Sequence, residues 1–352
     1  MPSFFLLFCR LMAFLPALFF LLFPLPAAAN EPLRVALVLE HAGGDGGWTD
    51  SLLAGLRRAA ETLPVQATPL IPQPGADAAA LEALFRQAAQ ENDLVLVASD
   101  RLHEILRNNA ANFRRTMFGC IDAGIRAPNI MSITFADEQA AFLAGAAAAM
   151  LTTAKALPGI NADKTLGWVS GEDVPALRSL FNGFKEGARL VDPEVRVIQA
   201  VSGSFADAAA GGKAAQSLLD QGADVLVLAA GLGNGPALAA VKARNAYMVG
   251  MDADQRARFP GHVLTSVLKH GDAAVYDLIA AAASGKFQGK KILVRDLANG
   301  GVDITDPAVF SAAAGTGAPP DLQRRVQELR GEVLRGGVRL PSMRARTLCD
   351  CL

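Results

Sequence analysis

The sequence predicts an α/β protein made of two doubly wound lobes, each with a parallel sheet between helices. Three observations carry that expectation. Near-continuous apolar runs, such as Leu33–Leu39 and Asp93–Ser99, alternate with amphipathic segments of helical spacing. Strands buried on both faces read as unbroken apolar runs, and alternation with helices builds a doubly wound sheet. The alternation breaks at Pro158-Gly159 and then starts again, which predicts a second lobe. Several apolar runs also end in a carboxylate, a cation or a glycine-rich turn, and open α/β sheets read ligands at the carboxyl ends of their strands.

The elements follow in order. Leu33–Leu39 is a strand that enters His41-Ala-Gly-Gly-Asp45-Gly-Gly-Trp48-Thr49-Asp50, before a helix with apolar Leu52, Leu53 and Leu56. Glycines there permit positive φ and close approach to a ligand, and Thr49 or Asp50 is placed to cap the helix. Val65–Leu70, Asp93–Ser99, Thr116–Asp122 and Asn129–Thr134 continue as strands, with helices after Asp77 and Arg101. An alanine-rich helix from Asp137 to Leu151 leads to the second set: strands at 165–170, 196–201, 224–229 and 246–251, separated by helices beginning near Pro175, Phe205 and Pro236. A further strand, Val263–Val267, and a helix from Asp272 are expected to return to the first sheet. Ile292–Leu297 reads as a strand, 299–316 as loop, and Leu322–Leu334 as an amphipathic helix. The expected division is 1–29 as an export signal, 30–134 with 258–290 as the first lobe, 135–257 with 291–310 as the second, and 311–352 as a C-terminal helix and tail.

Composition narrows the function. Of 352 residues, 51% are apolar and only 6% aromatic, and the formal net charge is −1, so no global field steers the chain to nucleic acid or anionic lipid. The leading segment has one basic residue, Arg10, an apolar stretch broken by Pro16 and Pro24, and Ala27-Ala28-Ala29 as a cleavage site, which predicts export and a periplasmic location. Cys9 precedes that stretch and does not fit a lipid-attachment cysteine. Cys120 is expected as a buried small hydrophobe, and Cys349 and Cys351 at the C-terminus form neither a disulfide framework nor a zinc set. The four histidines show no metal pairing and stand beside no nucleophile motif, so neither cofactor nor catalysis is expected.

The residues with most chemical content are Asp252, Asp254 and Gln255 after the run from Tyr247, and Lys269 at the end of the next strand. A carboxylate at a strand end can accept two hydrogen bonds from vicinal hydroxyls. Asp252 reads equally as the cap of the following turn, and Asp254 and Gln255 read as hinge residues. Trp48, in a glycine-rich turn, has little core to fill. Phe205, taken alone, reads as packing at a helix start. Gly231-Leu-Gly233-Asn-Gly235 lacks the third glycine of a dinucleotide fingerprint.

The order of motifs resembles the basic membrane protein family of ABC-importer substrate-binding proteins, the purine-nucleoside receptors. The matching stretches are Ser132-Ile-Thr-Phe135-Ala-Asp-Glu-Gln-Ala-Ala-Phe142-Leu-Ala-Gly145, Phe181-Asn-Gly183-Phe184-Lys-Glu-Gly187, Gly203-Ser204-Phe205-Ala-Asp207, Asp220-Gln-Gly-Ala-Asp224-Val, Gly250-Met-Asp252-Ala-Asp254-Gln255 and Leu264-Thr-Ser266-Val-Leu-Lys269. Weaker likeness runs through Asp45-Gly-Gly-Trp48-Thr49 and Ile121-Asp122. The resemblance implies a class I periplasmic binding-protein fold with a multi-strand hinge, closing over a nucleoside that an ABC permease then receives. It implies Trp48 and Phe205 on opposite faces of the base, Asp252 and Lys269 at the ribose, and Asp122 and Gly231 near the ligand. The turn residues Asp45, Thr49 and Asp50 complete the candidate set, and a monomer is expected. Trp48-Thr49 stands where the family carries Phe-Asn, Gly300-Gly301-Val302-Asp303 stands for Gly-Gly-Val-Gly, and the lipoprotein cysteine is missing. The alternatives are the same fold around a free purine, sugar or amino-acid-like compound, a ligand sensor, and an exported nucleoside hydrolase.

Overall fold

The structure is a computed structural model that describes residues 31–340 apart from Pro74 and Lys155. The export-signal expectation and the Cys349 and Cys351 readings fall outside the described residues. No helix among the described residues is long and apolar enough to cross a membrane.

The first lobe is a six-stranded sheet in the order β11-β5-β4-β3-β1-β2. Its strands are β1 (Leu33–Val38), β2 (Val65–Leu70), β3 (Leu94–Val97), β4 (Met117–Ile121), β5 (Ile130–Phe135) and β11 (Ile292–Arg295), all paired in parallel. Side chains alternate across the sheet, so one apolar run supplies two cores. Val35, Leu37, Leu94 and Leu96 face α1 (Trp48–Thr62) and α8 (Gly271–Ala283). Ala36, Val38, Val95 and Val97 face α2 (Ala78–Glu91) and α3 (Asp100–Asn109). This double burial is why the strands lack polar alternation.

The second lobe repeats the plan in the order β12-β10-β9-β8-β6-β7. Its strands are β6 (Thr165–Ser170), β7 (Arg196–Val201), β8 (Ala223–Ala229), β9 (Tyr247–Gly250), β10 (Val263–Lys269) and β12 (Val302–Ile304), the last antiparallel to β10. On one face, α4 (Asp137–Thr152) and α5 (Pro175–Val191) share a core with α10 (Leu322–Leu334). On the other lie α6 (Ala208–Asp220) and α7 (Asn234–Ala243). A short helix, α9 (Ala308–Ala314), precedes α10.

Two expected lobe assignments are corrected. Residues 258–290 do not all return to the first lobe, because β10 pairs in parallel with β9, and only α8 crosses back to pack on α1. Nor does 291–310 belong wholly to the second lobe, because β11 joins the first sheet beside β5 and β12 alone joins the second. The physical reason is that β4 to β5 and β9 to β10 are parallel neighbours joined without an α-helix, the second connection holding only the 3-10 turn Arg256–Arg258. Periodicity marks each strand but not its partner. The stretch 299–316 is also not plain loop: it holds β12 and α9, both too short to show a period. The chain therefore changes lobes three times, after Phe135, after Lys269 and between β11 and β12.

The family-like motifs on α4 and α5 have a packing cause. A Cβ on Gly145 would lie 2.0 Å from the Phe184 carbonyl oxygen, one on Gly187 1.9 Å from that of Phe142, and one on Gly183 2.5 Å from that of Glu138. The two helices thus touch backbone to backbone along a seam that tolerates only glycine.

Candidate functional site

The strand ends of both sheets face one cleft of about 390 Å³, within the range of small-molecule sites. Asp45, Trp48, Thr49 and Asp122 line it from the first lobe, and Phe205, Gly231, Asp252 and Lys269 from the second. Asp50, the ninth residue expected, is not in the lining. Its carboxylate instead accepts from the Gly44 and Gly46 amides, at 2.8 and 2.7 Å.

The glycine-rich turn is held by its own acids. Asp45 accepts from the amides of Gly47 and Thr49 at 2.9 Å each and of Asp50 at 3.2 Å, so it, and not Thr49 or Asp50, satisfies the open N–H groups at the start of α1. With both oxygens engaged, Asp45 shapes the wall. Thr49 is buried within the first turn of α1. The turn projects Trp48, whose indole N–H donates to the Ala98 carbonyl at 3.2 Å at the end of β3. Its ring meets Phe135 edge to face, with centroids 5.9 Å apart. Gly271 makes room for it, since a Cβ there would stand 2.8 Å from the indole.

Across the cleft, Phe205 lies in the loop before α6, not in the helix; Asp207 caps α6 by accepting from the Ala210 amide. A Cβ on Gly171 would lie 2.2 Å from the Phe205 ring. The Phe205 carbonyl accepts from Leu232 at 2.9 Å, and Gly231, at φ 58°, leaves space for that carbonyl.

The hinge carries the charge. Lys269, only 4% exposed, donates from Nζ to Asp122 Oδ2 at 2.8 Å and to Asp137 Oδ2 at 3.0 Å. The same ammonium lies 4.9 Å from the Trp48 ring centroid and 5.0 Å from that of Phe135, a cation–π arrangement. Burial works against the Lys269 charge, but Asp122 and Asp137 outweigh it and hold the ammonium above the ordinary lysine range. Asp137 is pushed up to about 7 by burial, against the pull of Lys269, and its Oδ1 is buried without a hydrogen bond. Asp252 is also pushed up to about 7, first by burial and further by Asp45 and Asp122, with Lys269 opposing. Among the described residues, no donor bonds the Asp252 carboxylate. It faces the cleft with its acceptor capacity unused.

Asp122 and Asp252 occupy matching places. Each follows the third strand inward from its sheet's edge at β11 or β12, and each has left-handed backbone, φ 72° and 67°. Non-glycine residues adopt that conformation uncommonly, aspartate more readily than most.

Sequence reasoning missed several neighbours. Asp137 lay inside a recognised motif, but nothing local tied it to Lys269. Arg101 reaches Glu40 at 3.4 Å within its own lobe and Glu172 at 3.3 Å in the other, an ion pair across the cleft. Ser99, Leu177 and Leu180 also line the cavity. Their only signal was position, at strand ends or a helix start.

Comparison with known proteins places this geometry. The profile of a family described as ABC transporter substrate-binding protein, PnrA-like (Bmp) matches residues 33–315. A Lactococcus lactis protein named ABC transporter nucleoside-binding protein BmpA is 28% identical over 66% of this chain and 66% of its own length. A Pyrococcus abyssi protein named as an uncharacterized lipoprotein is 30% identical over 78% of this chain and 70% of its own. Among solved structures, a solute-binding protein of an Aeropyrum pernix ABC transporter system superposes with a TM-score of 0.80 at 26% identity, covering 88% of this chain and 93% of that one.

Proposed function

Given that the chain belongs to the Bmp family of PnrA-like ABC transporter substrate-binding proteins, we propose that its two lobes close on a purine nucleoside outside the inner membrane and present it to an ABC permease. The observation that carries this reading is the unpartnered carboxylate of Asp252, facing a cleft walled by Trp48 and Phe205 from opposite lobes. A ribose offers two adjacent hydroxyl donors, which match the two acceptor oxygens of one carboxylate. A purine offers two flat faces, and base–aromatic stacking is worth about 1–3 kcal/mol per base. The name of the Lactococcus relative points the same way. Both cations of the lining are already committed, Lys269 to Asp122 and Asp137, and Arg101 to Glu40 and Glu172. The lining therefore suits a neutral ligand with hydroxyl donors. Thr49, where the resemblance leads one to expect asparagine, offers one hydroxyl in place of an amide, and base preference follows from that difference.

Calorimetry with inosine, guanosine, adenosine and the free bases tests the reading. The nucleosides are expected to bind and the bases to bind more weakly. An absence of heat from every nucleoside, with no change in Asp252→Ala, would sink it.

A further inference from the structure

We propose that Gln255 is a positioning residue whose one side-chain amide ties the two walls of the cleft together even without ligand and sets how slowly a bound ligand leaves. The inference deepens the proposed function and rests on that reading of the cleft as a closing site.

Gln255 lies in the bend between β9 and β10 and is 5% exposed. Its Nε2 donates to the Gly46 carbonyl, in the first-lobe turn that carries Trp48, and to the Met251 carbonyl at 3.3 Å, one residue before Asp252. Its Oε1 accepts from Arg258 Nη1 at 3.2 Å. The amide orientation follows from these partners, because the reverse would set oxygen against two carbonyls and nitrogen against a guanidinium. The backbone N–H donates to Ser266 Oγ at 3.0 Å on β10. Gly250 lies beneath the side chain, where a Cβ would stand 2.4 Å from Gln255 Cγ.

Of these bonds, only the one to Gly46 joins the lobes. The others fix the amide within the second lobe, so the donor is aimed before closure, and little side-chain entropy is lost when the bond forms. A neutral buried amide is also insensitive to salt and to pH, unlike the Arg101–Glu172 pair. One residue thus couples the turn bearing Trp48 to the bend bearing Asp252.

The test uses the full-length protein and two variants. Gln255→Met keeps length and volume without the donors, and Gln255→Glu sets an acceptor against the Gly46 carbonyl. Amide hydrogen exchange over residues 43–49 in ligand-free protein reads the tie without any ligand, and stopped-flow release of inosine reads retention. Exchange is expected to rise about fivefold in Gln255→Met, and further in Gln255→Glu, with β1 and β8 unchanged. Inosine release is expected to quicken about tenfold, as for one lost buried hydrogen bond. Unchanged exchange at 43–49 with unchanged release would overturn the proposal, as would a uniform rise over both sheets, which would mean a merely structural role. A wild-type protein that ignores inosine, while its variants still loosen residues 43–49, would overturn the nucleoside reading and leave the tie standing.

Discussion

Asp122 and Asp252 are the same residue type, at equivalent strand ends, in the same left-handed conformation, yet their surroundings differ. Asp122 shares a buried ammonium with Asp137, whereas Asp252 has no hydrogen-bonded partner among the described residues. The source of the difference is the end of the neighbouring strand. β10 ends in Lys269, while its counterpart β5 ends in Phe135, so one cation serves a nearly symmetric pair of acids. A repeated scaffold supplies two matching carboxylates, and one asymmetric side chain anchors the first and leaves the second facing the cleft without a hydrogen-bonded partner among the described residues.

Removing the cation tests this contrast most severely. Lys269→Met leaves Asp122 and Asp137 buried without their partner, and breaking a buried ion pair costs about 3–5 kcal/mol. Urea unfolding is expected to show a loss of that order at pH 8 and a smaller one at pH 5, where Asp137, pushed up to about 7 by burial, takes up a proton. Equal stability of variant and wild type at pH 8 would remove the basis of the comparison.

Asparagine at either aspartate sharpens it. Asp252→Asn is expected to weaken inosine binding about 100-fold, the scale of a lost charged hydrogen-bond partner. Its stability should change the other way. The folded-state value near 7 lies above the ordinary carboxylate value, so the protonated group's stabilising effect is full below about pH 4 and lost as pH rises through about 7. The variant should therefore gain on the wild type across that window and hold its advantage above it. Asp122→Asn should do the reverse, lowering stability at pH 8 with the smaller effect on affinity. Thermal unfolding from pH 4 to pH 8 with paired titrations would show whether the signs are opposite.

The smallest effect is expected at the cleft mouth. Arg101 is more than half exposed, and exposed ion pairs contribute little. Arg101→Ala should quicken ligand release about threefold at low salt and not at all in 1 M salt. A large, salt-independent effect would shift the interlobe coupling from the hinge to the mouth.

The two-lobed plan was legible because two-faced burial writes itself into the chain as unbroken apolar runs. Eight of nine candidate residues line one cleft: Asp252 and Lys269 were marked by their place at strand ends, whereas Phe205, Asp122 and Gly231 were implied by the family resemblance alone. Sheet membership was less legible. The strand β10 was placed in the wrong sheet because pairing partners are chosen by tertiary contact, which leaves no periodic trace. Asp45 and Asp50 looked like ligand acids, but in a turn rich in open amides the nearest donors are the backbone's own. Asp137 and Glu172 carried no local signal, since their partners lie 132 and 71 residues away.

The glycine seam between α4 and α5 has a mechanical consequence. Helices in backbone contact cannot slide past one another as helices cushioned by side chains can, so the pair behaves as a single beam. One end of that beam carries Asp137 at the fulcrum beside Lys269, and the other helix brings Leu177 and Leu180 to the wall of the cleft. Any rotation of the second lobe must reach both places together, without slack. The seam thus makes the hinge contact of Asp137 and the cleft wall of Leu177 and Leu180 parts of one rigid piece.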